Sequence, residues 1–312
     1  MDFIESKTLK ELGEELKKRL DNIAKINTER TGILSGFYSL DAITKGFQPS
    51  NLVMIAGVEG IGKTAFAVSL IRKMAIENHC RIAFFSFGMT SQQLLLLLIR
   101  QQTNIASEKL RLGLLNDDER ELVAIATAAT EEAPLNIVDY PFLTVSDIED
   151  FFLCSPPDFA EIIIIDSLQF IAKSKKDQVG KILNKREMTQ ITFQLKKLAE
   201  KLNITILVLV RYDLPIRGYR THYIQRPYLS DLRTYAPIDT YADLVLLLYR
   251  PEYYKMEEWD DDEGLPAAGE AEIIVVKNTN GILENARLQF IGSLGKFDNL
   301  SSNNDPDNDL PF

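Results

Sequence analysis

Eight consecutive residues, Gly57-Val58-Glu59-Gly60-Ile61-Gly62-Lys63-Thr64, leave this chain few ways to fold. An apolar run, Leu52 to Ala56, leads into them, and an amphipathic run, Ala65 to Ala75, leads out. That order is strand, glycine-rich loop, helix, at the spacing G-x-x-x-x-G-K-[ST]. Gly57, Gly60 and Gly62 let backbone N–H groups converge on an anion without Cβ clashes. The helix opening near Gly62 adds the positive end of its dipole. In such a loop Lys63 reaches the outer phosphates as a point charge and the Thr64 hydroxyl ligates Mg²⁺. The alternative is a plain glycine-rich turn; the flanking strand and helix favour a nucleotide site running from Gly57 into Ala65.

A second chemical element is Ile162-Ile163-Ile164-Ile165-Asp166. In an open α/β sheet, an aspartate at the C-terminal end of a buried strand lies beside the phosphate loop, where its carboxylate holds Mg²⁺ or a Mg²⁺-bound water. Lys63, Thr64 and Asp166 are therefore the candidate catalytic residues, with Thr64 and Asp166 as the metal ligands. A purely structural Asp166 is the alternative.

Around these elements, strand and helix patterns alternate. Strands are expected at Arg81 to Phe87, Leu135 to Tyr140, Ile162 to Asp166, Ile204 to Val210 and Leu244 to Tyr249. Helices are expected at Ser91 to Gln102, Asp117 to Ala133, Thr144 to Cys154 and Asn184 to Leu202. Continuous apolar strands separated by helices predict a mostly parallel sheet covered on both faces. Near the C-terminus, Glu272 to Lys277 and Asn285 to Ile291 flank Asn280-Gly281, a β-hairpin signal. Ser6 to Asn27, with Leu9, Leu12, Leu16, Leu20, Ile23 and Ile26 at three- and four-residue spacing, predicts an amphipathic helix ahead of the body. Its apolar face packs on its own domain or on a neighbouring subunit.

The net charge of −10 argues at first against a polyanionic partner. Its location changes that: Glu257 to Glu263 carries six acidic residues and Asp298 to Phe312 carries four, which together equal the excess. The remaining body is near neutral, and a local basic channel stays open. Cys80 and Cys154 lack C-x-x-C spacing, which fits a reducing compartment. With only His79 and His222, no zinc constellation is available, and the metal to expect is Mg²⁺ on phosphate. No apolar run reaches the roughly 18 residues of a membrane span, and no export signal leads the chain, so a cytoplasmic protein is expected.

At this point a family resemblance emerges. Gly36-Phe37, Ser39-Leu40-Asp41, Gly46-Phe47, Gly62-Lys63-Thr64-Ala65-Phe66-Ala67, Phe85-Ser86, Met89, Ile165-Asp166 and Leu168-Gln169 resemble the RecA-fold motor domain of DnaB-type replicative helicases. Leu195-Lys196, Leu198-Ala199, Arg226-Pro227, Ser230-Asp231-Leu232-Arg233, Ala242-Asp243, Leu248-Tyr249-Arg250, Tyr253-Tyr254 and Asn280-Gly281 continue the series in the family's order. The resemblance implies a RecA-like P-loop NTPase core over 32–299, preceded by a linker helix within 1–31 and followed by an acidic tail at 300–312. It implies ATP and Mg²⁺ between the subunits of a hexameric ring around single-stranded DNA, with Arg250 among the nucleotide-binding residues. The linker helix would dock on the adjacent subunit, and the family's N-terminal helical domain is expected to be absent.

The departures carry as much information. Where the family has a glutamate that polarises the attacking water, this chain has Gly88 in Phe85-Ser86-Phe87-Gly88-Met89. Where the family supplies an arginine finger in trans, this chain reads Lys277-Asn278-Thr279-Asn280-Gly281, which keeps Lys277 as the trans-acting residue but puts Thr279 at the finger position. Arg211 stands where the family has a phosphate-sensing glutamine and is a candidate compensating charge; a surface arginine is the alternative. Glu59 is a weaker candidate to replace the missing base.

In the stretch resembling the DNA-tracking loop, Arg233 is the candidate phosphate-backbone contact. The residues after it, Thr234-Tyr235-Ala236-Pro237, depart from the family's pattern. Tyr235 stacks on a base or simply packs, and Lys173-Ser174-Lys175-Lys176 faces the channel or solvent. The last residues, with Asp309-Leu310-Pro311-Phe312 at the end, resemble the acidic tip of bacterial single-stranded-DNA-binding proteins, which implies docking on replication or repair proteins; a solubilising tail is the alternative. Two functions follow from these residues. One is a ring helicase domain with impaired hydrolysis, alone or mixed with a full-length homologue. The other is a nucleotide-gated adaptor that recruits partners through its tail.

Overall fold

Leu52–Gly57 (β1) is buried along its whole length, with successive side chains feeding two different cores. Val53 and Ile55 join the cluster on one face; Leu52, Met54 and Ala56 join the other. A strand that is apolar on both faces belongs in the middle of a covered sheet, and β1 lies there. The computed structural model describes residues 8–10, 13–14, 17, 32–156, 158–173, 183–213, 226–259 and 262–300.

In chain order, a short helix α1 (Tyr38–Thr44) precedes β1, and α2 (Lys63–Ile71) follows the phosphate loop and continues as one π-helical turn to Glu77. Next come β2 (Ile82–Ser86), α3 (Ser91–Thr103), α4 (Ser107–Leu112), α5 (Asp117–Glu132), β3 (Leu135–Asp139), α6 (Val145–Leu153) and β4 (Ile162–Asp166). After them lie α7 (Lys185–Leu202), β5 (Thr205–Arg211), α8 (Leu229–Tyr235) and β6 (Leu244–Tyr249). The chain closes with β7 (Glu258–Trp259), β8 (Asp262–Pro266), β9 (Glu270–Asn278), β10 (Asn285–Ile291) and β11 (Lys296–Asp298). The main sheet runs β11-β10-β9-β6-β1-β5-β4-β2-β3; the stretch from β6 to β3 pairs in parallel, and β9 to β11 extend the β6 edge antiparallel.

Helix starts follow local chemistry. Thr90, Asn116, Thr144 and Asn184 each accept from the backbone N–H three residues on, and Gln93, Glu119, Asp147 and Glu187 reach back to complete four capping boxes. Asn104, Gly113 and Asn203 end α3, α4 and α7 in the left-handed conformation.

The expected parallel sheet, covering helices and C-terminal hairpin are present. The hairpin is looser than Asn280-Gly281 alone suggests: six residues, 279–284, connect β9 to β10, and Asn280 donates its N–H to Asn278 Oδ1 at 3.1 Å. Ser230 to Arg233, expected as a loop, is part of α8 instead, because Leu232 and Asp231 turn inward and are buried. Within the acidic stretch, Glu258–Trp259 pairs with Asp262–Pro266 as the β7–β8 ribbon, with Trp259 buried and its Nε1 donating to Glu270 at 3.1 Å. At the N-terminus, the described residues 9–10, 13–14 and 17 are helical; the rest of the expected linker helix, and the tail with Asp309, Leu310, Pro311 and Phe312, lie outside the described residues. Lys175 and Lys176 also lie outside them, while Lys173 pairs with Glu187 at 3.6 Å.

Strand β11 is tied to the first core helix through charge. Asp298 meets Lys73 at 2.9 Å, Arg72 at 3.2 Å and Lys296 at 3.4 Å, and both Arg72 and Lys73 are buried. Burial alone would raise the Asp298 carboxyl, but the Lys73 hydrogen bond and the three cations outweigh it and hold it at about 2. Because the folded value lies below the ordinary 3.8, the stability from this group is full above about pH 4 and is lost as pH falls toward 2. The expected acid loss is about 2 kcal/mol. Asp298→Asn should cost about 3 kcal/mol at neutral pH, because it takes the carboxylate from buried Lys73 and leaves buried Arg72 with Glu77 alone. Urea unfolding of both proteins from pH 7 to 3 checks this; equal midpoints at pH 7 would contradict it.

Candidate functional site

The loop closes on itself as its residue types require. Gly60 and Gly62 take φ of +75° and +112°, where a side chain is strained, and a Cβ on Gly57 would sit 2.8 Å from Ile61. Lys63 leads α2 and folds its ammonium back onto the carbonyls of Gly57 and Val58, at 2.9 and 2.8 Å. Burial brings that ammonium down from 10.5 to about 8; Asp166 and Glu59 oppose the shift and Arg211 adds to it. Val58 and Ala65 flank the loop and pack on the core.

Thr64 donates its hydroxyl to Asp166 Oδ2 at 2.6 Å. Burial raises the Asp166 carboxyl, against the Thr64 hydrogen bond and the Lys63 charge. A hydroxyl and a carboxylate oxygen side by side are the hard ligands Mg²⁺ takes, and the positive-φ glycines leave the loop N–H groups free of Cβ atoms, so these residues fit a magnesium–polyphosphate. Among the described residues no group of three or more His, Cys, Asp and Glu gathers as a metal cluster.

The loop is supported from behind by residues far along the chain. Arg250 donates to the Ile61 carbonyl at 3.2 Å and stacks its guanidinium 3.7 Å from the Phe290 ring centroid. Tyr253 donates its hydroxyl to the Glu59 carbonyl at 2.8 Å. Sequence reasoning notes Tyr253 without assigning it a part; a tyrosine 194 residues from its partner has no local signal to betray it. The same holds for Gln169, whose amide brackets the Arg211 backbone by donating to its carbonyl at 2.6 Å and accepting its N–H at 3.2 Å.

Gly88 lies just past the end of β2. Ser86 is in register with Asp166, and the Phe87 N–H donates to the Asp166 carbonyl at 3.1 Å. A Cβ added at Gly88 meets nothing within 4 Å. The position beside the metal-ligand strand therefore has room for a side chain that the chain does not supply.

Two other expected site residues gather elsewhere, around the buried Asp239. Arg233 donates Nε and Nη2 to Asp239 Oδ2 at 2.9 and 2.8 Å. Lys277 donates to the Asp239 and Thr240 carbonyls at 2.8 and 3.3 Å. Thr279, exposed at the end of β9, donates its N–H to the Asp243 carbonyl at 2.9 Å. Tyr235 packs partly buried on the core.

A parallel core with a glycine-rich loop after β1, an aspartate at the end of β4 bonded to the loop's threonine, and β5 between the two strands defines a RecA-like P-loop domain. The particular family follows from comparison. The profile of the DnaB-like helicase C terminal domain matches residues 32–299, and the chain belongs to that family. It is 31% identical over 299 residues to the replicative DNA helicase DnaB of Geobacillus stearothermophilus, covering 95% of this chain and 63% of that protein. It is 30% identical to the replicative DNA helicase DnaC of Bacillus subtilis (strain 168), covering 91% of this chain and 61% of that one. Among solved structures it resembles an ATPase domain with a TM-score of 0.78, 26% identity and coverage of 93% of this chain and 99% of that domain. It also resembles a DnaB-like replicative helicase studied for its interactions with primase, with a TM-score of 0.77, 25% identity and coverage of 95% and 68%. The chain spans about three fifths of the length of the curated relatives it matches. No helix among the described residues is long and apolar enough to cross a membrane.

Proposed function

We propose that this chain is a replicative-helicase motor domain that holds Mg-ATP firmly and hydrolyses it slowly, acting on single-stranded DNA as part of a hexameric ring. The observation that carries this reading is the Lys63, Thr64 and Asp166 constellation on a loop whose glycines take the required conformations. In it the loop N–H groups and Lys63 bind the phosphates, while Thr64 and Asp166 hold the cation. Bound Mg²⁺ would neutralise charge on the outer phosphates. Arg250 and Tyr253 stiffen the loop through the Ile61 and Glu59 carbonyls.

The slow step follows from residue chemistry. Gly88 offers no proton acceptor, and loss of a general base costs about 10²- to 10⁴-fold. Thr279 offers no guanidinium to a neighbour's nucleotide, a contribution of roughly 10³ to 10⁵ in related enzymes. Arg233 reaches DNA phosphate by leaving Asp239, and Lys277 reaches a neighbour's site by leaving the Asp239 and Thr240 carbonyls. Phosphate contacts predict DNA binding that weakens steeply with salt.

The same two residues, Gly88 and Thr279, favour a second reading, a nucleotide-gated assembly factor in a homo-oligomer or in a mixed ring with a full-length homologue. Its acidic tail would recruit replication or repair proteins. A steady-state ATPase assay with single-stranded DNA, run beside a strand-displacement assay, tests both. Turnover of several per second would overturn slow hydrolysis. Unwinding from 5′ to 3′ supports the motor, whereas ATP-dependent oligomers without unwinding support the assembly factor.

A further inference from the structure

Arg233 and Lys277 come from different elements, α8 and β9, and meet on one residue. Arg233 gives both Nε and Nη2 to Asp239 Oδ2, at 2.9 and 2.8 Å. Lys277 donates to the backbone carbonyl of the same Asp239 at 2.8 Å and to that of Thr240 at 3.3 Å. The ion pair is unequally placed: the Arg233 side chain is 58% exposed and that of Asp239 only 3%. Asp239 Oδ1 is buried and finds no hydrogen-bond partner among the described residues. A carboxylate sealed this far depends on its cation, because taking one partner from a buried pair leaves the other charge uncompensated.

We propose that Asp239 is a counter-ion shared in turn by two cations: when Arg233 leaves it for a nucleic-acid phosphate, Lys277 moves from the Asp239 and Thr240 carbonyls onto the Asp239 carboxylate. This rests on the reading of Arg233 as a DNA contact. Lys277 is the cation already touching the residue that is about to lose one. Its present bonds are to neutral oxygens, and a bond to an ionised oxygen is roughly twice as strong. Oδ1 is the open acceptor, and the carbonyl and carboxylate belong to one residue, so torsions of the lysine side chain make the transfer. Thr240 is exposed, so water replaces the ammonium at its carbonyl. One cation leaves the buried carboxylate, one arrives, and no proton moves. The consequence is a restriction: Arg233 and Lys277 are not both away from Asp239 at once. A lysine drawn onto the carboxylate is withheld from a neighbour's nucleotide, so a subunit's grip on DNA opposes its reach into the next site.

Fluorescence anisotropy of a labelled oligothymidylate, with the full chain and no nucleotide, reads the exchange apart from any action of Lys277 on a neighbour's nucleotide. Light scattering and melting temperatures accompany every variant. Arg233→Ala should weaken binding about tenfold. Asp239→Asn, which removes the charge and keeps the shape, should tighten it about three- to tenfold, and should do nothing in the Arg233→Ala background. Lys277→Met should weaken binding about three- to tenfold in the parent chain, yet less than about twofold in the Asp239→Asn background. Lys277→Gln and Asp239→Ser repeat the cycle where one of these folds poorly. A loss at Lys277 that persists beside Asp239→Asn is plain charge attraction and overturns the exchange, as does a Lys277→Met protein that binds DNA like the parent. Binding that Arg233→Ala leaves unchanged removes Arg233 from the DNA contact and this inference with it, while nucleotide binding stands.

Discussion

Replacing Gly88 with glutamate raises single-turnover ATP hydrolysis by about a hundredfold or more over the parent chain. The expectation combines one chemical and one steric fact. A positioned general base is worth about 10²- to 10⁴-fold, and this chain has none at the end of the strand that runs beside Asp166. The backbone at Gly88 avoids the left-handed region, and a Cβ there meets nothing within 4 Å, so the new side chain enters without displacing a neighbour. Nucleotide affinity should stay within about threefold of the parent, because no loop contact changes. Thr279→Arg tests the second deficit: added to the Gly88→Glu chain it should raise turnover further, and only at concentrations where the chain oligomerises, since a finger acts across a subunit boundary. A Gly88→Glu protein that binds ATP as before and hydrolyses it no faster would show that the missing carboxylate is not what limits the site.

The second large effect is on binding. Lys63→Met should weaken Mg-ATP by roughly a hundredfold, the loss expected when charge-assisted hydrogen bonds to phosphate disappear. It should do so with little cost in stability. The Lys63 ammonium is partly desolvated, its acidity is displaced toward the neutral form by burial, and methionine keeps most of its volume. Two carbonyls, Gly57 and Val58, lose a donor, which offsets the gain from removing a desolvated charge. The unfolding free energy is therefore expected within about 1 kcal/mol of the parent. Titration calorimetry paired with urea unfolding reads both numbers. Unchanged nucleotide affinity would remove the loop from the centre of the proposed function.

What is legible in the sequence follows the range over which its physics acts. The β1–loop–α2 unit and Asp166 are readable because each is a local pattern: an apolar run, glycines at fixed spacing, a charge at a strand end. The four capping boxes are readable for the same reason. Short elements are not. α1 and α4 span too few residues to show a period, and β11, three residues long, exists because Phe297 is pulled into the core and Asp298 meets buried cations. α8 escapes a sequence reading because two buried side chains, not a repeating stripe, hold it in place. In the site, residue identities are readable but partnerships are not. That Arg211 answers to Glu59, that Gln169 brackets Arg211, and that Arg233 and Lys277 both settle on Asp239 depend on strand order, which residue types alone leave open.

The ion pairs that tie β11 to α2 bear on how the chain is made. Arg72 and Lys73 are synthesised early, but their partner Asp298 follows Arg72 by 226 residues. At about 5 to 20 residues per second, a ribosome takes roughly 10 to 45 s to cover that distance. Throughout that interval Lys73 waits for its carboxylate, and Arg72 has Glu77 alone. The domain is therefore expected to complete its core after Asp298 has been released from the exit tunnel, as one cooperative event and not strand by strand. The helix that is made early is charge-matched only when β11 arrives.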